Sequence, residues 1–379
     1  MKRHFKGSAA IVGPVKAGTK TKILIDRLKP GDIALINHLD LDELAAVSLR
    51  DRKVCAVINV EASSSGRYPN KGPKILSDAK ILHLDLAGAV LMDQIAEGDM
   101  LTLRNNEIWR GQELLATARV VDEELITKQM TAAELNLDTL LDAFVQNTLE
   151  YALKEKELIL GGMNMPHLRT FFTGKHTVIV VRGQSYREDL QAIKNYIDEV
   201  KPVLVGVDGG ADALLEFGYV PDLVVGDMDS VSDLALRKAK ERVVHAYTDG
   251  RAPGMARIEQ LELTATVMKA PGTSEDIALL LAFENGARLI AAIGTHTSMI
   301  DFLEKGRKGM ASTFLVRLKV GNRLVDARGV SQLYRGSVSG RSLVLLTLAA
   351  SIPVFALAAA NPTVRHLFRL IALRLRLAL

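Results

Sequence analysis

From residue 178 to residue 293, apolar runs of strand length alternate with helical patterns, and that alternation narrows the fold more than any other feature. The runs are 178–181, 203–207, 223–225, 243–244, 265–268 and 289–293, with helical periodicity at 187–200, 211–217, 234–241 and 276–285. Uninterrupted apolar strands separated by helices predict an α/β domain with a doubly wound, mostly parallel sheet covered on both faces. Ligands in such sheets bind beyond the carboxyl ends of the strands. A second α/β region lies upstream, with strand-like runs at 33–36, 54–60 and 80–84 and a helix at 41–49. Between the two, 131–157 is helical, with Leu137, Leu140, Leu141, Phe144, Thr148 and Tyr151 on one stripe. Such a stripe packs within the chain or pairs with a second copy as a homo-oligomer.

Charge is distributed unevenly. The net charge of the 379 residues is +4, yet residues 1–30 alone carry +7 and residues 335–379 carry +6. The body is therefore acidic, which argues against a nucleic-acid binder with one basic folded face. Basic ends suit an anionic membrane surface, or at the N-terminus a solvated arm. The basic Met1–Lys6 is followed by no apolar stretch of signal-peptide length. A single cysteine, Cys55, excludes an internal disulfide and fits a reducing compartment.

Residues 343–360 are eighteen without a charge, about the minimum that spans a ~30 Å hydrocarbon core. They predict one C-terminal transmembrane helix, followed by a basic amphipathic tail over 361–379 that suits the headgroup region. The expected organisation is a basic arm (1–21), an N-terminal α/β domain (22–120), a helical connector (121–172), the second α/β domain (173–334), the span and the tail. The expected location is the cell membrane, with the bulk of the protein cytoplasmic.

Two strand ends carry the candidate chemistry. Val203-Leu204-Val205-Gly206-Val207-Asp208-Gly209-Gly210 ends a strand on an acid, turns on two glycines and opens a helix. Glycines permit a ligand close to the backbone. Pro221-Asp222-Leu223-Val224-Val225-Gly226-Asp227-Met228-Asp229-Ser230 ends a buried strand in Asp-x-Asp. In an extended segment both carboxylates face one way and can share a cation. Asp208, Asp227 and Asp229 are thus expected to hold Mg²⁺, which favours a few carboxylates together with phosphate oxygens. Asp212 and Asp222 read as turn and cap acids. A third loop, with Ser65, Gly66, Arg67 and Tyr68 at its centre, could hold an anion or serve as a plain turn.

The segments V-D-G-G-A-D and P-D-L-V-V-G-D-M-D-S resemble the nucleotide-binding half of thiamine pyrophosphokinases, over about residues 175–320. The resemblance implies that these acids hold Mg²⁺ and ATP or another diphosphate. It adds Asp276, in Gly272-Thr273-Ser274-Glu275-Asp276, and places Gly209, Gly210, Ser230 and Arg182 around the nucleotide. The family's Gly-Gly-Arg-x-Asp-His-type motif is not matched. This chain has Gly294-Thr295-His296-Thr297-Ser298-Met299-Ile300-Asp301 there, and no all-β sandwich is evident after Val320.

The segments G-T-K-T-K, S-S-G-R-Y-P-N-K-G-P and F-L-E-K-G-R-K-G-M-A-S-T-F-L-V-R-L-K resemble the SteA-type cytokinetic ring proteins of actinobacteria, nearly along the full length. That resemblance implies a role in septum formation and cell separation with a membrane-associated division partner. The expected function is a division protein whose diphosphokinase-like domain binds Mg-nucleotide or a diphosphate. The alternatives are an active diphosphokinase acting on thiamine or another hydroxyl-bearing substrate, and transfer to a lipid-linked or sugar substrate.

Overall fold

The structure, a computed structural model, describes residues 10–156, 165–333 and 340–378. Residues 1–9 of the expected arm, and 157–164 of the expected connector, lie outside the described residues. The chain divides into two compact units, Met1–Gly329 and Val330–Leu379.

The first unit is built on two sheets. The upstream sheet contains β1 (Ile11–Gly18), β2 (Ile33–Ile36), β3 (Ala56–Asn59), β4 (Leu82–Asp85), β5 (Met100–Arg104), β6 (Glu107–Arg110), β7 (Glu113–Thr117) and β8 (Arg119–Val120). Its order is β7-β6-β5-β1-β2-β3-β4-β8. Strands β1 to β4 run parallel, and β5 and β8 pair antiparallel with β1 and β4. Ile11–Gly18 falls inside the stretch expected as a basic arm, yet it is the strand on which the sheet turns. Its first half pairs antiparallel with β5 and its second half parallel with β2.

The downstream sheet contains β9 (His176–Val180), β10 (Val203–Val207), β11 (Leu223–Gly226), β12 (Glu241–Ala246), β13 (Thr266–Lys269), β14 (Leu289–Ile293) and β15 (Leu324–Asp326). The order is β13-β12-β11-β10-β9-β14-β15, and every described pairing is parallel. All five residues of β10 are buried, as the uninterrupted apolar run requires. Full burial of each such side chain contributes about 1.5–3 kcal/mol. The chain winds outward from β9 to β13 and then crosses back to β14, so the order reverses between β9 and β14. Such a reversal opens a crevice at the carboxyl ends of the strands.

The expected connector divides. The region expected over 131–157 is split between two helices, Glu123–Leu135 and Leu137–Lys154, and the whole stripe lies on the second. Phe144 and Thr148 are buried, while Leu141 and Tyr151 are exposed. Phe144 meets Tyr68 of the upstream region and Phe302 and Leu303 of the downstream one in a single apolar cluster. The Phe144 and Phe302 rings are 6.4 Å apart. This cluster holds the two sheets against one another.

The second unit contains the helices Val330–Leu333, Gly340–Ala360 and Pro362–Ala378. Asn361 opens the last of them: its side-chain oxygen accepts from the Thr363 N–H at 3.0 Å, and Pro362 takes the first helical position. Among the described residues no helix is long and apolar enough to cross a membrane. The transmembrane helix expected over 343–360, and the single-span membrane location drawn from it, are therefore not supported. That run has only the minimum spanning length, and six of its eighteen residues are alanine. Thr347, Ser351 and Pro353 interrupt its apolar surface further.

Candidate functional site

The site grows from the ends of β10 and β11. Asp208 follows β10 in the left-handed region, at φ 46°. Its N–H is held by the Val225 carbonyl at 2.9 Å. That conformation lays the carboxylate over Gly226, where a Cβ would stand 1.8 Å from Asp208 Oδ1. Gly210 opens the next helix directly against β9, with room for no side chain: a Cβ would meet the Val180 oxygen at 1.8 Å. Two glycines thus set the acid in place, one beneath it and one behind it.

Asp227 follows Gly226, and its carboxylate lies beside that of Asp208. Burial raises the Asp208 carboxyl to about 7, and the Asp227 charge adds to the rise. The Met228 N–H, donating to Asp208 Oδ1 at 3.2 Å, and the charge of Lys22 pull the other way. Asp229 does not join them. Met228 sits at φ 64°, so the chain is not extended past Asp227 and the two acids of Asp-x-Asp diverge. Asp229 turns to Lys20 instead, 3.6 Å away. Among the described residues no group of three or more His, Cys, Asp or Glu side chains is placed to hold a metal ion. The expected three-carboxylate cage is thus a two-carboxylate pair with a third acid turned aside. The pair suits Mg²⁺ that arrives with its phosphate, because one or two carboxylates then suffice.

The other expected residues scatter. Gly209 abuts Arg182, and a Cβ there would come 2.9 Å from Arg182 Cδ. The Arg182 guanidinium is paired with Glu216 at 2.6 Å. Ser230 accepts from Lys22 at 2.5 Å. Asp276 is not in the cleft. It caps the helix Ser274–Glu284 from the core, where it accepts from Ser312 Oγ at 2.8 Å and from the Thr273 N–H at 3.0 Å. Its neighbour Glu275 faces the cleft and binds His296 at 2.5 Å and Lys305 at 3.4 Å. Burial alone would raise Glu275, but these two partners hold it down to about 2.

In the Ser65 loop the serine's own donors are satisfied within the chain. Asp40 accepts from the Ser65 N–H at 2.5 Å and from its hydroxyl at 3.0 Å, so a carboxylate of the protein takes the anion's position. Gly66 and Arg67 complete the turn, with Arg67 exposed. Tyr68 is buried, and burial with the nearby Asp40 and Glu304 charges pushes its hydroxyl well up. Sequence reading missed Lys20 and Lys22. They lie at the start of the helix Thr21–Arg27 beside the other sheet, 208 positions from Ser230 in the case of Lys22.

Between the two sheets is a cleft of about 1490 Å³. Asp208, Asp227, Ser230 and Arg182 line it from the downstream side, and Lys22 and Lys71 from the upstream side. It exceeds the volume of an ordinary small-molecule site, roughly 300–1,000 Å³.

Residues 193–250, which include Asp208, Asp227 and Asp229, match the family model of the thiamin pyrophosphokinase catalytic domain. Residues 328–379 match the SteA-like C-terminal domain, so the chain combines a thiamin pyrophosphokinase-type domain with a SteA-like C-terminal one. That second match begins two residues before the second unit does. Among solved structures, a thiamine pyrophosphokinase from Bacillus subtilis is 28% identical over 35% of this chain and 52% of its own, with a TM-score of 0.23. A 3-isopropylmalate dehydratase (LeuD) from Methanocaldococcus jannaschii is 13% identical over 35% of this chain and 98% of its own, with a TM-score of 0.21. The chain thus spans about half the length of the Bacillus enzyme. No curated protein matches.

Proposed function

We propose that the cleft binds a magnesium-complexed diphosphate, a nucleotide foremost, within a protein of cell division. The observation that carries the reading is the paired carboxylates of Asp208 and Asp227 at the ends of neighbouring parallel strands. Two acids held together, Asp208 half-buried and Asp227 exposed, repel one another, and a divalent cation relieves that repulsion. The division role, with action at the septum and a membrane-associated partner, rests on the SteA-type resemblance and on the C-terminal match. Binding without turnover is favoured by the rest of the cleft. His296, at the family's late motif, is tied to Glu275, and Asp276 is tied into the core.

The same acid pair would serve an active diphosphokinase, so the test reads both properties. The full chain is titrated calorimetrically with ADP and with inorganic diphosphate in excess Mg²⁺, and AMP release from ATP is assayed with thiamine. Saturable binding that Asp227→Asn abolishes, without AMP release, is the expected result. No binding by the wild-type chain rejects the reading. AMP release lost in Asp227→Asn would replace it with the enzyme.

A further inference from the structure

We propose that Lys20 and Lys22, at the start of the helix that follows β1, are the cationic half of the diphosphate site, so that the ligand is held between the two sheets. This rests on the binding reading above and deepens it.

The segment Gly18-Thr19-Lys20-Thr21-Lys22 runs from the end of β1 into the first turn of the helix Thr21–Arg27. Its centre is fixed. Thr21 is buried, and its hydroxyl lies 3.0 Å from His38 Nδ1, just past the end of β2. Gly18 packs against Leu24, where a Cβ would come within 3.0 Å of the Leu24 Cβ. With Thr21 anchored inward, the lysines on either side of it both reach the loop after β11. Lys22 Nζ donates to Ser230 Oγ at 2.5 Å, and Lys20 Nζ lies 3.6 Å from Asp229. Lys22 is also close enough to Asp208 for its charge to favour the carboxylate.

These contacts do little for the fold. The Lys20 and Asp229 side chains are 58% and 57% exposed, and an exposed pair of that kind adds little stability. They do place the Lys22 ammonium in the lining of the cleft near Asp208, and the Lys20 ammonium beside Asp229, which lines the same cleft, at the side where a cation-bound diphosphate would project its free oxygens. The lysines and Mg²⁺ then have complementary tasks. Without ligand, the lysines offset the charge of the acidic loop. With ligand, the metal takes the carboxylates, and the ammonium groups are free to donate to phosphate oxygens, as charge-assisted hydrogen bonds. They would supply the positive charge that the missing arginine of the Gly-Gly-Arg-x-Asp-His-type motif leaves absent, from the helix that follows β1.

The experiment compares the full-length wild type, Lys20→Ala, Lys22→Ala, Lys22→Gln and the double alanine variant, with Lys74→Ala as a surface control. Each is titrated with Mg²⁺ alone, with inorganic diphosphate in excess Mg²⁺, and with ADP in excess Mg²⁺. The double variant should bind both diphosphates at least tenfold more weakly, and the salt dependence of binding should flatten. Mg²⁺ alone should bind it as well as or better than the wild type, since two competing cations are gone. A loss of Mg²⁺ binding in parallel, with a lowered Tm, would mean that the lysines only support the fold and would overturn the proposal. Unchanged diphosphate affinity in a wild type that binds would also overturn it and leave the proposed function standing. Absence of binding by the wild type would remove both. The two ligand arms separate a nucleoside diphosphate from a free one: tighter ADP binding means that the cleft also reads the nucleoside.

Discussion

Replacing Asp208 with asparagine should stabilise the metal-free protein at alkaline pH while removing its ligand site. Burial and the neighbouring Asp227 raise the Asp208 carboxyl from 3.8 to about 7 in the folded chain. A folded-state value above the unfolded one means that the charged form is disfavoured by folding. The contribution of Asp208 to stability is therefore greatest below pH 3.8 and declines as the pH rises through about 7, above which the penalty is complete. At 1.36 kcal/mol per pH unit, the rise from 3.8 to about 7 bounds that penalty at about 4 kcal/mol. Asparagine keeps the shape and keeps an oxygen to accept from the Met228 N–H. Its amide can also donate to Asp227. Asp208→Asn should therefore gain about 2–4 kcal/mol at pH 8 and almost nothing at pH 4. Urea denaturation followed by circular dichroism, in EDTA at both pH values, measures this. Equal stability of variant and wild type at pH 8, or a gain of the same size at both, would refute the charge repulsion on which the site is argued.

Other residues give sharper losses. Asp85 is almost fully buried and is held bidentately by Arg119 at 2.8 Å on both oxygens. Arg119→Ala strands that charge and should cost about 3–5 kcal/mol by chemical denaturation, with Arg119→Lys recovering only part. Phe144→Ala empties the cluster between the sheets and should cost about 3–5 kcal/mol, with faster hydrogen exchange around Tyr68 and Phe302. Glu275 sits at about 2 in the folded chain against 4.5 unfolded, so its stabilisation is present above pH 4.5 and is lost as the pH falls through about 2. Glu275→Gln should cost about 2–3 kcal/mol at pH 7 and make the acid-unfolding profile shallower, as followed by circular dichroism.

Much of the downstream sheet was legible because its strands are buried on both faces. Val203–Val207 and Leu289–Ile293 begin and end where their apolar runs do. The upstream sheet was harder. β1 carries Gly13, Pro14 and Lys16, which argue against a central strand, yet Pro14 lies in the half that pairs with β5 and is tolerated there. β5 to β7 are short alternating strands joined at Asn105 and Gly111, both at positive φ, and the turn residues were their only strong signal. The acids of the site were legible as a motif, but their directions were not. Local periodicity places Asp227 and Asp229 on one side of a strand. The left-handed Met228 parts them, and nothing in the neighbouring residues announces it. Asp276 shows the same limit, since a cap and a ligand share one sequence pattern. Lys22 marks the far end of legibility, because only tertiary folding carries it to Ser230.

The helix Leu137–Lys154 precedes the downstream sheet in sequence but is physically part of it. Ala152 lies in that sheet's core, Thr148 accepts from the Met310 N–H at 3.1 Å, and Gly309 leaves no room for a side chain beside Asn147. A fragment trimmed to begin near residue 173, where the strands begin to alternate, would be shorn of its own cover. It would expose Phe302 and Leu303 and be prone to clump. One that starts ahead of Leu137 would keep that cover, and the natural cut in this protein falls some forty residues before the first strand of its second sheet.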